Sequence, residues 1–362
     1  MSIDVRVEPA EGAGAALAPA PVVREYGDAD RAQWDEFVTG HPHGSPFHLI
    51  AWKKTVEQSF GYQPRYLLAE EAGRIAGVLP LFLVRNFLLG KALISSPFAV
   101  YGGILAHRDT VRDVLYARVK ELGHALGVDY IELRNAWPEQ CGGVPNVSRY
   151  VTFTHETRPT EEALMEALPK KTRNIVRKAM REPFVMRYGV RDPRIMDAVH
   201  SRNMRTLGTP NFPRAYFANL LENFGSLADI REVWLRDRPM AVSLNFYFRG
   251  EMHTYHAAAD KRYNALGPNT FLYFDHLRWA GANGYHTFDF GRSKRDTGTF
   301  EFKKHWSTAM RPLPYEIVLV KRKELPNFSP ANPRFGFLIR TWRKIPLPVT
   351  RLLSRFALPL FP

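Results

Sequence analysis

The residues able to do chemistry crowd into one stretch, Phe288 to Trp306, which reads FDFGRSKRDTGTFEFKKHW. A single carboxylate, Asp289, stands between Phe288 and Phe290, and that period-2 alternation predicts a half-buried strand. Gly291 is predicted to end it, because glycine lets the backbone turn or come close to a ligand. A cationic loop with Arg292, Ser293, Lys294 and Arg295 follows, and Phe300-Glu301-Phe302 predicts a second aromatic strand leading into Lys303. Arg292 and Lys294 suit a phosphate, the arginine in bidentate fashion. Each residue also has a plain structural reading. Asp289 can cap a turn or pair with Arg292, Lys303 can be a solvated surface lysine, and the phenylalanines are core. Ser293 lacks a Gly-x-Ser-x-Gly elbow and is not read as a nucleophile. Tyr255 and His256, in HTYHAAAD, sit on a neighbouring predicted strand, where they either line the same pocket or pack.

These residues need a large scaffold. With 362 residues, 45% of them hydrophobic, the chain is long enough for two domains. Lys and Arg number 50 against 36 Asp and Glu, a net charge of +14. That balance favours anionic partners without choosing among nucleic acid, nucleotide phosphate, acidic lipid or acidic glycan. Cys141 is the only cysteine, which excludes an intrachain disulfide framework and a cysteine-based metal site. His41, His43 and His48 have no carboxylate or cysteine at ligand spacing, so no metal is expected. Residues 1–21 read as a disordered leader, and no stretch reads as a signal peptide or a membrane-spanning helix.

Helices are predicted over 28–39, 49–60, 112–126, 160–168, 170–182, 192–205, 214–224 and 270–282. Hairpins are predicted around 70–74 and 236–239, with strands at 130–133, 251–258 and 314–320. The segment from Ala51 to Gly61 aligns with Ala215 to Gly225, and Gly127 to Leu133 aligns with Gly284 to Phe290. Agreement in order and spacing reads as two copies of one unit: helices, hairpin, strand, helix, strand. Because the unit mixes hairpins with a helical crossover, its sheet should be mixed.

That order, doubled, resembles the FemAB family of aminoacyl and acyl transferases within the GNAT superfamily. Leu266-Gly267-Pro268-Asn269 before the helix, Phe288-Asp289-Phe290-Gly291 after it, Phe302-Lys303, and the basic run Arg173 to Ala179 carry the resemblance. FDFGRSKRDTG with FKKHW is most similar to FemAB-like proteins associated with exosortase (PEP-CTERM) exopolysaccharide systems. The resemblance spans about Val22 to Lys321. It implies an α/β (α+β) fold of two tandem GNAT-like (acyl-CoA N-acyltransferase) units, each a mixed sheet flanked by helices. Residues 22–165 would form the first unit, 166–324 the second with the main site, and 325–362 a basic, apolar tail. No Gln/Arg-x-x-Gly-x-Gly/Ala loop is present, so the usual acetyl-CoA cradle is missing, and no long charged arm of the kind some tRNA-dependent relatives carry is found.

The resemblance implies acyl or aminoacyl transfer to an amine, or a hydroxyl, of an envelope or exopolysaccharide precursor. The donor, acyl-CoA or aminoacyl-tRNA, is a co-substrate, with no tightly bound cofactor. Asp289 would accept a proton or orient the acceptor, and Lys303 would neutralise an oxyanion or hold an anionic group. Arg173, Arg177, Tyr255, His256, Asn269, Arg292 and Lys294 are the expected binding residues, for CoA, tRNA or a lipid- or nucleotide-linked sugar. The competing function is a non-catalytic binding protein for RNA or an anionic glycan. The tail interleaves Arg340, Arg343 and Arg355 with Phe337, Trp342 and Phe356, a pattern for contact with the inner face of the cytoplasmic membrane or for packing back on a cytoplasmic enzyme.

Overall fold

The computed structural model describes residues 20–86, 90–306, 308–325, 333–360 and 362. The expected leader lies almost wholly outside them. The first half runs β1 (Val22–Glu25), α1 (Arg31–Gly40), α2 (Ile50–Phe60), β2 (Gln63–Pro64), β3 (Leu67–Glu71), β4 (Arg74–Leu79), β5 (Phe82–Asn86), β6 (Gly90–Ile94), β7 (Leu105–Ala106), α3 (Asp109–Leu126) and β8 (Tyr130–Leu133). Next come β9 (Tyr150–Glu156), α4 (Glu161–Ala167), α5 (Lys170–Met180), β10 (Phe184–Val190), α6 (Arg194–Leu207) and α7 (Arg214–Phe224). The remainder is β11 (Ala228–Leu235), β12 (Arg238–Phe248), β13 (Glu251–Ala259), α8 (Pro268–Ala282), β14 (Thr287–Lys294), α9 (Gly298–Lys304), β15 (Ala309–Pro312), β16 (Glu316–Leu319), α10 (Pro333–Lys344) and α11 (Leu347–Ala357).

The first half forms two sheets, β1-β3-β4-β7 and β16-β8-β6-β5-β2. After the turn at 70–74 the chain forms two strands, β4 and β5, which part at Pro80 into different sheets. Proline donates no ladder hydrogen bond, so it suits the break. The second half forms one sheet, β10-β11-β12-β13-β14-β9-β15. The halves exchange strands across the division expected at 165–166: β9 pairs antiparallel with β14, and β16 returns to pair with β8. Period-2 patterning can mark a strand but cannot name its partner.

The duplicated elements occupy matching places. Helices α2 and α7 pack together, with Asn219 donating to Ser59 at 3.0 Å and Asn223 to Gln58 at 2.8 Å. One core then spans both halves, from Trp34, Phe47 and Trp52 to Tyr216, Phe224 and Phe246. Burial of such aromatic side chains is the main force holding the halves together. Among the described residues, no helix is long and apolar enough to cross a membrane.

The tail packs back on the body. Pro346 and Pro348 flank and open α11, splitting the tail into two helices. Arg351 pairs with Asp197 at 2.8 Å, the Ser354 hydroxyl donates to Asn211 at 2.8 Å, and Leu358 is buried. Phe337, Leu352 and Phe356 remain exposed on the outer side.

Candidate active site

The site forms where two parallel strands separate. β13 and β14 pair only through Glu251–Thr287, Met252–Phe288 and His253–Asp289. Both strands bulge at the parting: Tyr255 is the extra residue against β12, and Phe290 the extra residue against β9. A bulge adds twist and re-aims side chains. Gly291 therefore does not end the strand; at φ +75° it carries it through the bulge to Lys294. That conformation is cheap for glycine and costly for other residues. The wedge holds a cavity of about 320 Å³, walled by Tyr255 and His256 from β13, by Phe290, Gly291 and Arg292 from β14, and by Lys303.

Lys303 arrives on a helix, not on the expected aromatic strand. The Thr297 side chain accepts from Phe300 N and starts α9, and one turn places Phe300 and Lys303 on the same buried face. The aromatic alternation misled because three residues fit a helix turn as well as a strand. The Lys303 ammonium or amine donates to Gly291 O at 2.8 Å and Arg292 O at 3.1 Å, two main-chain oxygens beside the parting. Burial and the Arg292 charge outweigh the help of Asp289 and bring the Lys303 pKa down to about 7.

Asp289 does not line this cavity, and its oxygens are fully engaged. Oδ2 accepts from the Tyr101 hydroxyl at 2.7 Å and lies 3.3 Å from His253 Nδ1. Oδ1 accepts from Gly291 N at 2.6 Å and from the Thr152 hydroxyl at 3.3 Å. A general base needs a free lone pair in reach of the substrate, and in this arrangement the Asp289 oxygens are turned to protein donors rather than to the cavity. Burial would raise this carboxyl, but His253 and the hydrogen bonds hold it below the ordinary value. Burial likewise disfavours charge on His253, yet Asp289 and Glu251, the latter 3.1 Å from Nε2, outweigh it and raise its pKa to about 9. The pair is a buried ion pair that braces the strands at the parting.

Of the expected binding residues, the wedge brings together Tyr255, His256 and Arg292. The Tyr255 hydroxyl donates to Phe98 O at 3.1 Å, while burial holds His256 neutral, its pKa far below 6.5. Among the described residues the Arg292 guanidinium meets no carboxylate: it donates to the Tyr315 hydroxyl at 3.2 Å and lies over the Tyr150 ring at 4.5 Å. Lys294 lines an adjoining cavity instead. Arg173, Arg177 and Asn269 line neither. α5 does carry its basic face, and Thr172, Val176 and Ala179 form its buried side, packed against α8. Tyr101, Thr152 and His253 went unseen in the sequence, since no motif or spacing marks them.

Residues 170–304 match the family described as Acetyltransferase (GNAT) domain. The whole architecture is similar to that of FemX, with a TM-score of 0.66 and 14% identity over 83% of this chain and 98% of that one. This is a tandem GNAT fold. Two more solved structures share it: L-PGS from Bacillus licheniformis (TM-score 0.52, 12% identity, covering 84% and 98%) and a tandem GNAT protein from the clavulanic acid biosynthesis pathway (TM-score 0.51, 10% identity, covering 83% and 98%). No curated protein matches the sequence. The GNAT domain makes the chain an acyltransferase that takes its donor as a co-substrate. The loop entering α8 differs from an open phosphate cradle: Arg262 is tied to Asp260 at 2.6 Å, and Ala179 of α5 lies 3.1 Å from where a Cβ on Gly267 would sit.

Proposed function

We propose that the protein transfers an acyl or aminoacyl group to an amine inside the β13/β14 wedge, with Lys303 as general base. The observation that carries this reading is the Lys303 Nζ in the cavity wall. Two carbonyls take its two N–H groups, and in the neutral form the remaining lone pair is left for a substrate. A pKa near 7 makes that neutral form abundant at neutral pH. The acceptor's nitrogen attacks the donor carbonyl carbon, and the C=O π pair becomes an oxyanion. Lys303 takes the N–H proton, then returns it to the leaving thiolate or alkoxide as the tetrahedral adduct collapses. Arg292, with no carboxylate partner among the described residues, serves the developing negative charge or a phosphate of the donor. Asp289 positions the strands and touches no substrate.

The acceptor class we propose is an amine-bearing envelope or exopolysaccharide precursor, met on the cytoplasmic side of the membrane. The outward Phe337, Leu352 and Phe356 among arginines, on a chain of net charge +14, support peripheral contact there. The test is product formation by mass spectrometry with CoA thioesters or charged tRNA and amino-sugar or peptide amines. Product with wild type and none with Lys303→Met, both folded by circular dichroism, supports the reading. Equal product from both sinks the base assignment, and none from any donor favours a binding protein.

A further inference from the structure

A second, larger cavity of about 830 Å³ adjoins the wedge and shares Arg292, Thr209, Pro210 and Pro362 with it. Its lining combines two chemistries. The lining carries Arg134, Arg149, Arg292 and Lys294 against a single acidic side chain, Glu132, and Arg134 also donates to the Pro362 oxygen at 2.7 Å. Arg134 already holds that carboxylate at 2.8 Å, and among the described residues no ion pair with an acid is seen for the Arg149 or Lys294 side chain, Arg149 lying over the Tyr150 ring at 5.5 Å. The tail lines the same cavity with Leu338, Ile339, Trp342, Ile345, Ala357 and Leu360, which contribute no charge. Tyr130 is fully buried in the lining, yet among the described residues its hydroxyl has no hydrogen-bond partner, nor has Trp342 Nε1. Buried donors and unpaired cations are costly in an apolar setting unless something meets them. The volume falls in the range, about 300–1,000 Å³, of pockets that enclose small-molecule ligands.

We propose that this cavity binds an amphiphile: an apolar chain against α10 and α11, and a phosphate-bearing head on Arg149, Arg292 and Lys294. The shared wall at Arg292 sets the head beside Lys303, so the inference deepens the transfer reading by giving the class of one substrate. Two molecules have this chemistry, a long-chain acyl-CoA as donor and a prenyl phosphate as carrier of the acceptor. Binding is measured apart from turnover, so the two readings can fail separately.

The full-length protein is titrated by calorimetry, below micelle formation, with palmitoyl-CoA, acetyl-CoA, farnesyl phosphate, isopentenyl phosphate and an uncharged detergent of matching chain. At least one long-chain phosphate should bind roughly a hundredfold more tightly than its short-chain counterpart, since each buried methylene adds favourable transfer energy. Preference for palmitoyl-CoA assigns the cavity to the donor, and preference for farnesyl phosphate to the acceptor. Ala357→Trp, which adds bulk to the apolar lining, should abolish the chain-length preference. Arg149→Gln with Lys294→Gln should weaken both chain lengths about equally. Circular dichroism melts confirm that each variant is folded. Equal affinity for long and short chains, detergent binding as tight as the phosphates, or a chain-length preference unchanged in folded Ala357→Trp would each overturn the proposal.

Discussion

The two halves contain the same opening and use it differently. In the first, β6 and β8 pair in parallel only through Ala92–Tyr130, Leu93–Ile131 and Ile94–Glu132, then part, as β13 and β14 do. Glu132 stands where Asp289 stands in the repeat, but Arg134 takes the place of Gly291. The Arg134 side chain is buried: it binds Glu132 at 2.8 Å and the Ser96 and Ala99 oxygens at 3.3 Å each, and reaches the Pro362 oxygen at 2.7 Å. The arginine fills the parting itself, reaching carbonyls of the loop that follows β6. At the glycine position of the second half a lysine from another element meets the Gly291 and Arg292 carbonyls instead, beside a cavity. The same strand parting is thus filled by a side chain in one half and bordered by a cavity in the other.

Removing the lysine is the strongest way to break this contrast. Lys303→Ala should lower kcat by about 10²–10⁴-fold, the usual worth of a positioned general base, with melting little changed. Because the folded pKa is about 7, the wild-type rate should rise as pH climbs through 7 and then level, and the rise should vanish in the variant. A rate that instead falls above pH 7 would mean the ammonium form is the working one.

Next in size is the brace beside the site. Asp289→Asn leaves a buried imidazolium without its carboxylate and should cost about 3–5 kcal/mol by denaturant unfolding. His253 is raised from 6.5 to about 9, so its contribution is complete below pH 6.5 and lost as pH rises through 9. Lys303, lowered to about 7, gives the opposite slope above 7. The informative quantity is therefore the stability of wild type minus His253→Gln, which should shrink between pH 6.5 and 9; a constant difference would refute the ion pair.

In the first half, Arg134→Met should destabilise by about 1–3 kcal/mol, the cost of freeing buried acceptors, with a smaller effect on kcat than Lys303→Ala. The smallest effect belongs to Gly291→Ala. Its added Cβ meets nothing closer than Thr254 O at 3.5 Å, so the cost is the positive φ alone, about 1 kcal/mol, seen as a melting shift of a few degrees.

Much of the scaffold was legible in advance because it rests on local physics. The α7 boundaries, 214–224, are those read from its apolar spacing, and the duplicated helix and strand fall on matching elements. Lys303, Arg292, Tyr255 and His256, singled out from types and order, line one cavity. What failed was non-local or ambiguous. Phe300-Glu301-Phe302 was too short to tell a helix turn from a strand, and the one-sided charge of α5 could not say which way the helix faces.

The sequence by itself determined the elements, the duplication and the cationic balance, since propensity, periodicity and composition act between near neighbours or over the whole chain. Only the tertiary structure decided that Asp289 is a brace and Lys303 a group with a lowered pKa. Those properties come from desolvation and from partners far along the chain: Tyr101 and Thr152 for the one, and the carbonyls of a parted strand for the other. It also decided that the tail closes a cavity, because a helix pattern shows which side is apolar but not what that side will cover.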